Sequence, residues 1–104
     1  MFKISEDVRK QIESLPHKEI FVVTIEGKEI CFANIDGKPH AFLNRCPHAA
    51  ARLSEGTCNA RGIISCPLHG YKFNVQTGKD VDQNGYRLRI YKLQYVEGEL
   101  FIQL

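Results

Sequence analysis

Apolar residues recur at every second position on both sides of a central segment that shows no such alternation. Phe21, Val23 and Ile25 alternate with Val22 and Thr24, and Ile30 and Phe32 follow across Glu26-Gly27-Lys28. Asp36-Gly37 is a hairpin signal ahead of a strand from His40 to Asn44. Leu88 and Ile90 share one face, whereas Leu93 and Tyr95 continue in the opposite phase, a slip that predicts a bulge or bend near Tyr91. Glu97-Gly98 turns the chain into Leu100, Ile102 and Leu104. Side chains on a pleated strand point to alternate faces, so this period commits the chain to short antiparallel strands. The fold expected is all-β, a sandwich or small barrel of antiparallel sheets.

The exception is the N-terminus. After a short strand from Phe2 to Ile4, Ser5 is a good N-cap, Glu6 and Asp7 suit a first turn, and Val8, Ile12 and Leu15 share one helical face that Pro16 closes. A chain of 104 residues forms one domain, residues 1–104, that buries roughly 65% of its unfolded surface. No stretch approaches the roughly 20 apolar residues of a membrane-spanning helix. Met1-Phe2-Lys3-Ile4-Ser5-Glu6-Asp7 has no apolar block after its lysine, so a cytoplasmic protein is expected. Fourteen Lys and Arg against twelve Asp and Glu, with no run of like charge, give no nucleic-acid surface.

The central segment, about residues 45–72, reads as two loops joined by a short hairpin around Asn59-Ala60-Arg61-Gly62. In a reducing compartment the expected use of cysteine is metal binding or catalysis. Cys46-Pro47-His48 and Cys66-Pro67-Leu68-His69-Gly70 give C-x-H, seventeen residues, then C-x-x-H. Each loop offers one thiolate and one imidazole beside a stiffening proline. Such a pair of loops can hold a binuclear centre with both thiolates on one metal and both imidazoles on the other. Two other chemistries use the same residue types. A mononuclear zinc site takes two Cys and two His, but zinc modules pair like ligands at wider spacings. A Cys–His catalytic pair leaves the second, parallel pair unexplained. His17 and His40 have no cysteine at ligand spacing and read as surface or turn residues; Cys31 reads as a packed or half-exposed thiol, and the compartment disfavours a Cys31–Cys58 disulfide.

On these two loops the chain resembles the Rieske-type [2Fe–2S] ferredoxins, in which two histidines replace two cysteines on one iron. The likeness extends to Leu53-Ser54-Glu55-Gly56, Gly70, Phe73 and Thr77-Gly78, and covers nearly the whole chain. It implies that Cys46 and Cys66 bind one iron and His48 and His69 the other, in one [2Fe–2S] cluster per chain. It also implies a small cluster-binding subdomain, about residues 45–72, on an antiparallel β frame with one short N-terminal helix.

The resemblance carries functional expectations. Two ferric ions, two sulfides and two thiolates sum to zero charge, so an added electron costs less than in a four-thiolate cluster. The family window is about −150 to +300 mV, against about −400 mV for plant-type ferredoxins. High-potential relatives carry an extra cysteine in each loop, a serine after the His-Gly pair and a tyrosine two residues further on. Here those positions hold Ala51, Leu68, Tyr71 and Phe73, which implies the low end, about −150 mV. Where many relatives cover the cluster with a proline-containing segment, Val81-Asp82-Gln83-Asn84-Gly85-Tyr86 implies a more flexible third wall. The role implied is a soluble, monomeric one-electron carrier, not an enzyme by itself. It would take electrons from a flavoprotein reductase and pass them to a terminal oxygenase or another oxidoreductase. The ferredoxin of an aromatic-ring dioxygenase and the small subunit of a nitrite reductase are alternatives with the same chemistry inside a complex. Arg45, Arg52, Arg61 and Lys72 against Glu55 alone, between Phe42 and Val75, predict an acidic docking partner.

Overall fold

The computed structural model describes residues 1–104 and carries nine strands: β1 (Phe2–Lys3), β2 (Ile20–Ile25), β3 (Lys28–Ile35), β4 (Lys38–Leu43), β5 (Thr57–Cys58), β6 (Ile63–Ser65), β7 (Lys72–Asn74), β8 (Ile90–Val96) and β9 (Glu99–Gln103). Helix α1 (Glu6–Glu13) follows β1, and a 3-10 turn at Leu53–Glu55 precedes β5. Three hairpins set the frame. Glu26-Gly27, Asp36-Gly37 and Glu97-Gly98 hold both residues at positive φ (50° and 78°, 53° and 79°, 52° and 79°). That is the geometry whose twist matches the flanking strands. Antiparallel pairing gives one six-stranded sheet in the order β1-β9-β8-β4-β3-β2, and a separate sheet β5-β6-β7. The large sheet curls until its edge strands face each other across a groove lined by Phe2, Ile4, Val23 and Ile25.

Strand β3 is apolar on both faces because a core lies on each side of it. Ile30 and Phe32 pack with Ile4, Ile12, Tyr91, Leu100 and Ile102 inside the curled sheet. Cys31 and Ala33 pack with Phe42, Leu53, Ile64 and Phe73 between the two sheets. The same division accounts for the phase slip in β8. Ile90 packs against the second core, and Tyr91 and Leu93 against the first. The ladders Phe42↔Ile90, Ala41↔Tyr91 and Lys92↔Gln103 through Val96↔Glu99 run in unbroken register. The expected bulge near Tyr91 is therefore corrected: the apolar side of the strand changes, not its geometry.

Helix α1 starts as expected, with Ser5 Oγ accepting from the Val8 N–H at 3.3 Å. It stops at Glu13, short of Pro16. Pro16 has no N–H to give the Ile12 carbonyl, and buried Asn34 satisfies that carbonyl and the Leu15 carbonyl through Nδ2 (2.7 and 3.0 Å). In the small sheet Asn59 Oδ1 accepts from the Arg61 and Ile63 N–H groups (2.9 and 3.1 Å) and forms the predicted hairpin.

Candidate metal centre

Each loop is closed by backbone hydrogen bonds around its cysteine. The Cys46 N–H donates to the Ala51 carbonyl and the Ala50 N–H to the Cys46 carbonyl, both at 2.8 Å, with Ala50 at φ 57°. In the second loop the Cys66 N–H donates to the Tyr71 carbonyl at 2.7 Å, and His69 and Gly70 both lie at φ 70°. These left-handed residues turn the chain back so that His69 stands at the tip. A Cβ on Gly56 would fall 1.9 Å from the Ser65 carbonyl oxygen, so only glycine lets the chain after the first loop pass this close to the second.

A polar network fixes the first loop to the frame. Buried Asn44 donates to Glu29 Oε1 (3.1 Å) and Ser54 Oγ (2.9 Å), and its Oδ1 accepts from the Ser54 N–H at 2.8 Å. Arg52 donates to both Glu29 carboxylate oxygens (3.2 and 3.1 Å) and lies 3.8 Å from Glu55. Arg52 is thus neutralised, which corrects its place among the free docking charges; Arg45, Arg61 and Lys72 make no ion pair.

The structure brings the candidates together as two like pairs, thiol with thiol and imidazole with imidazole. Cys46 and Cys66 are 0% and 2% exposed, with their thiols in contact. The imidazoles lie outside them, ring centroids 5.7 Å apart at 79°, with His48 half-buried and His69 exposed. Burial pushes the Cys66 thiol above its ordinary range; the Leu68 N–H, which donates to Cys66 Sγ, opposes this, and the Cys46 thiol reinforces it. His48 Nδ1 is buried with no hydrogen-bond partner. A buried ring nitrogen without a protein partner fits metal ligation. No three His, Cys, Asp or Glu side chains surround one point. The donors form an inner sulfur pair and an outer nitrogen pair, suited to two bridged ions.

The remaining candidates lie elsewhere. Cys31 is fully buried, its thiol pushed up to about 12 by burial first and by Glu29 second. Cys58 is half-buried and also raised by burial; no disulfide joins the two. His17 Nδ1 accepts from the Asp36 N–H at 3.2 Å. His40 sits half-buried in β4 rather than in a turn, its pKa lowered by burial and by Lys38.

Two residues missed as functional at the sequence level border the imidazoles. The Tyr71 ring stacks on His48 at 3.7 Å and 24°, and Tyr86 meets His48 edge-on at 5.2 Å and Tyr71 at 5.6 Å. Tyr86 comes from the segment expected to be a flexible third wall. Hydrogen bonds tie down its first part, Val81 to Asn84, whereas Gly85 and Tyr86 make none. Asp80, 8% exposed, accepts from the Asp82 and Asn84 N–H groups (2.9 and 3.2 Å), and the Val81 N–H donates to the Lys72 carbonyl at 2.9 Å.

Paired thiolates and paired imidazoles are the donor set of a [2Fe–2S] centre with mixed ligation. The sequence model of the Rieske [2Fe-2S] domain matches residues 7–92, and the chain belongs to that family, whose cofactor is a [2Fe–2S] cluster. The chain is 42% identical over 65 residues to the ferredoxin component of the naphthalene 1,2-dioxygenase system of Pseudomonas aeruginosa, a match covering 62% of either chain and so less than two thirds of that relative. Among solved structures, the Sphingomonas yanoikuyae B1 ferredoxin superposes with a TM-score of 0.76 at 26% identity, over 89% of this chain and 92% of that one. The ferredoxin in the oxygenase–ferredoxin complex of carbazole 1,9a-dioxygenase gives 0.75 at 26% identity, over 88% and 95%.

Proposed function

We propose that this chain is a single Rieske domain over residues 1–104 and a one-electron carrier. In this reading Cys46 and Cys66 hold one iron, and His48 and His69 the other, within a subdomain spanning about residues 45–72. The observation that carries it is the layered donor set: two buried thiols in contact, a half-buried imidazole with an unpartnered Nδ1, and a second imidazole facing solvent. When bound, the cluster supplies one reversible electron at a potential set by its mixed ligation. The chain's own residues do the rest. Phe42, Leu53, Ile64 and Phe73 keep water from the sulfur side, and the two loop closures hold the ligands before and after electron uptake.

His69 offers the shortest path to a partner. Exposed Pro67, Leu68 and Gly70 flank it along the chain as a small apolar rim, and Arg45, Arg61 and Lys72 carry positive charge without an ion pair. A partner with an apolar contact and an acidic border fits this tip. The relatives, named as ferredoxin components of oxygenase systems, support a terminal oxygenase as acceptor ahead of a nitrite reductase, and a flavoprotein reductase is the proposed donor. Their naming as ferredoxin components also supports a carrier, which in this reading is cytoplasmic and without catalysis of its own.

Protein-film voltammetry tests the reading. A reversible one-electron couple near about −150 mV at neutral pH is expected. A couple well above zero would refute the low-potential assignment, and no couple at all would refute the carrier.

A further inference from the structure

The two imidazoles stand in unlike surroundings. His48 carries an aromatic ring stacked on its face and another against its edge, whereas His69 projects into solvent. A Cβ added to Gly70, beside His69, would meet nothing within 4 Å. Backbone hydrogen bonds hold Tyr71 itself and the chain just before Tyr86. The Tyr71 carbonyl accepts the Cys66 N–H at 2.7 Å, which ties its ring to the second loop. Tyr86 ends the turn that Asp80 fastens through the Asp82 and Asn84 N–H groups. Neither ring directs a hydroxyl hydrogen bond at a protein partner, so what each offers His48 is an apolar face or edge.

We propose that Tyr71 and Tyr86 form an aromatic cover over His48, leaving His69 as the single ligand through which electrons leave and solvent reaches the centre. The inference rests on the Rieske reading above and extends it, assigning positioning roles to two residues outside the ligand set. Stacked rings exclude water from the face they cover, and a site closed to water is protected from side reactions. Such a carrier loses fewer electrons to dioxygen between partners. It also presents its partner with one exit, since the ring nearest solvent on the open side is His69.

The test uses the cluster-bound protein, with Tyr86→Ala and Tyr71→Ala to open the cover, and Tyr86→Phe and Tyr71→Phe to keep the rings. Each is reduced without oxygen, and its reoxidation by dissolved dioxygen is followed by absorbance in the absence of partners. The alanine variants should reoxidise about fivefold faster. Their potential should shift positive, because admitted water stabilises the added negative charge. The phenylalanine variants should match the wild type in both measurements. Electron paramagnetic resonance of the reduced state checks that the cluster is intact. Should Tyr71→Ala fail to assemble a cluster, Tyr86→Ala, on an exposed turn, carries the test alone. Alanine variants with an intact signal, an unchanged potential and wild-type reoxidation would overturn the cover. A wild-type protein without iron would instead overturn the family reading beneath it.

Discussion

Phe73 lies fully buried in the same apolar core as Cys46 and Cys66, where a hydroxyl donor to sulfur would sit in a high-potential relative. Phe73→Tyr adds that donor, and the potential should rise in film voltammetry; an unchanged value would mean the hydroxyl does not reach a sulfur. Phe73→Ala should cost about 3–5 kcal/mol in chemical unfolding, as a large buried ring is lost. Cys31 gives a pH prediction. Burial pushes its thiol up to about 12, above the ordinary thiol value, so the unfolded chain loses this proton first. Stability is therefore complete below about pH 9 and falls as pH rises toward 12, by at most about 4 kcal/mol from this group. Cys31→Ala should flatten that alkaline decline in unfolding midpoints measured from pH 8 upward; an equally steep decline would assign it to other groups. The four ligand candidates are legible in the sequence because their chemistry demands fixed residue types at short spacings. Asn44, Tyr71 and Tyr86 are not, since each acts on a partner that only the folded chain brings near.

At the level of elements, alternation and Gly-containing turns suffice to read the strands, because each hairpin turn is local chemistry. The phase of β8 is harder to read, because its two apolar faces belong to different cores and only the folded sheet shows which is which. The end of α1 is legible from Pro16, but not that distant Asn34 caps the Ile12 carbonyl which the proline leaves open. Close approach between segments is equally invisible in sequence, and two glycines mark it. A Cβ on Gly78, at φ +79°, would lie 2.5 Å from the Leu88 carbonyl oxygen. Gly78→Ala should cost about 1–3 kcal/mol of stability by thermal unfolding, from strained backbone alone. Gly56→Ala acts differently, since its Cβ would push on Ser65, one residue before Cys66. It should lower iron retained after gel filtration more than it lowers secondary structure by circular dichroism. Full iron occupancy in that variant would show that the two loops tolerate separation.

Across the whole molecule, charge is segregated although the net value is small. Residues 45–92 carry eight Lys and Arg against three Asp and Glu, while the remainder carries six against nine. Paired charges lie mainly outside the cluster-binding end: Lys3 with Glu99, Arg9 with Glu6 and Glu13, and Lys10 with Glu6. The loop end thus presents free cations to a partner, and steering should depend on salt. Electron transfer to an oxygenase should slow as ionic strength rises from about 0.01 to 0.15 M, where the screening length shortens from about 30 to 8 Å. A rate insensitive to salt in stopped-flow mixing would remove electrostatic docking from the account.

The most direct check is metal and sulfide analysis of freshly purified protein, coupled to its electron paramagnetic resonance spectrum before and after dithionite. Two irons and two acid-labile sulfides per chain are expected, with no signal when oxidised and a single-electron signal when reduced. Bound zinc, or protein that holds neither iron nor sulfide after anaerobic reconstitution, would contradict it.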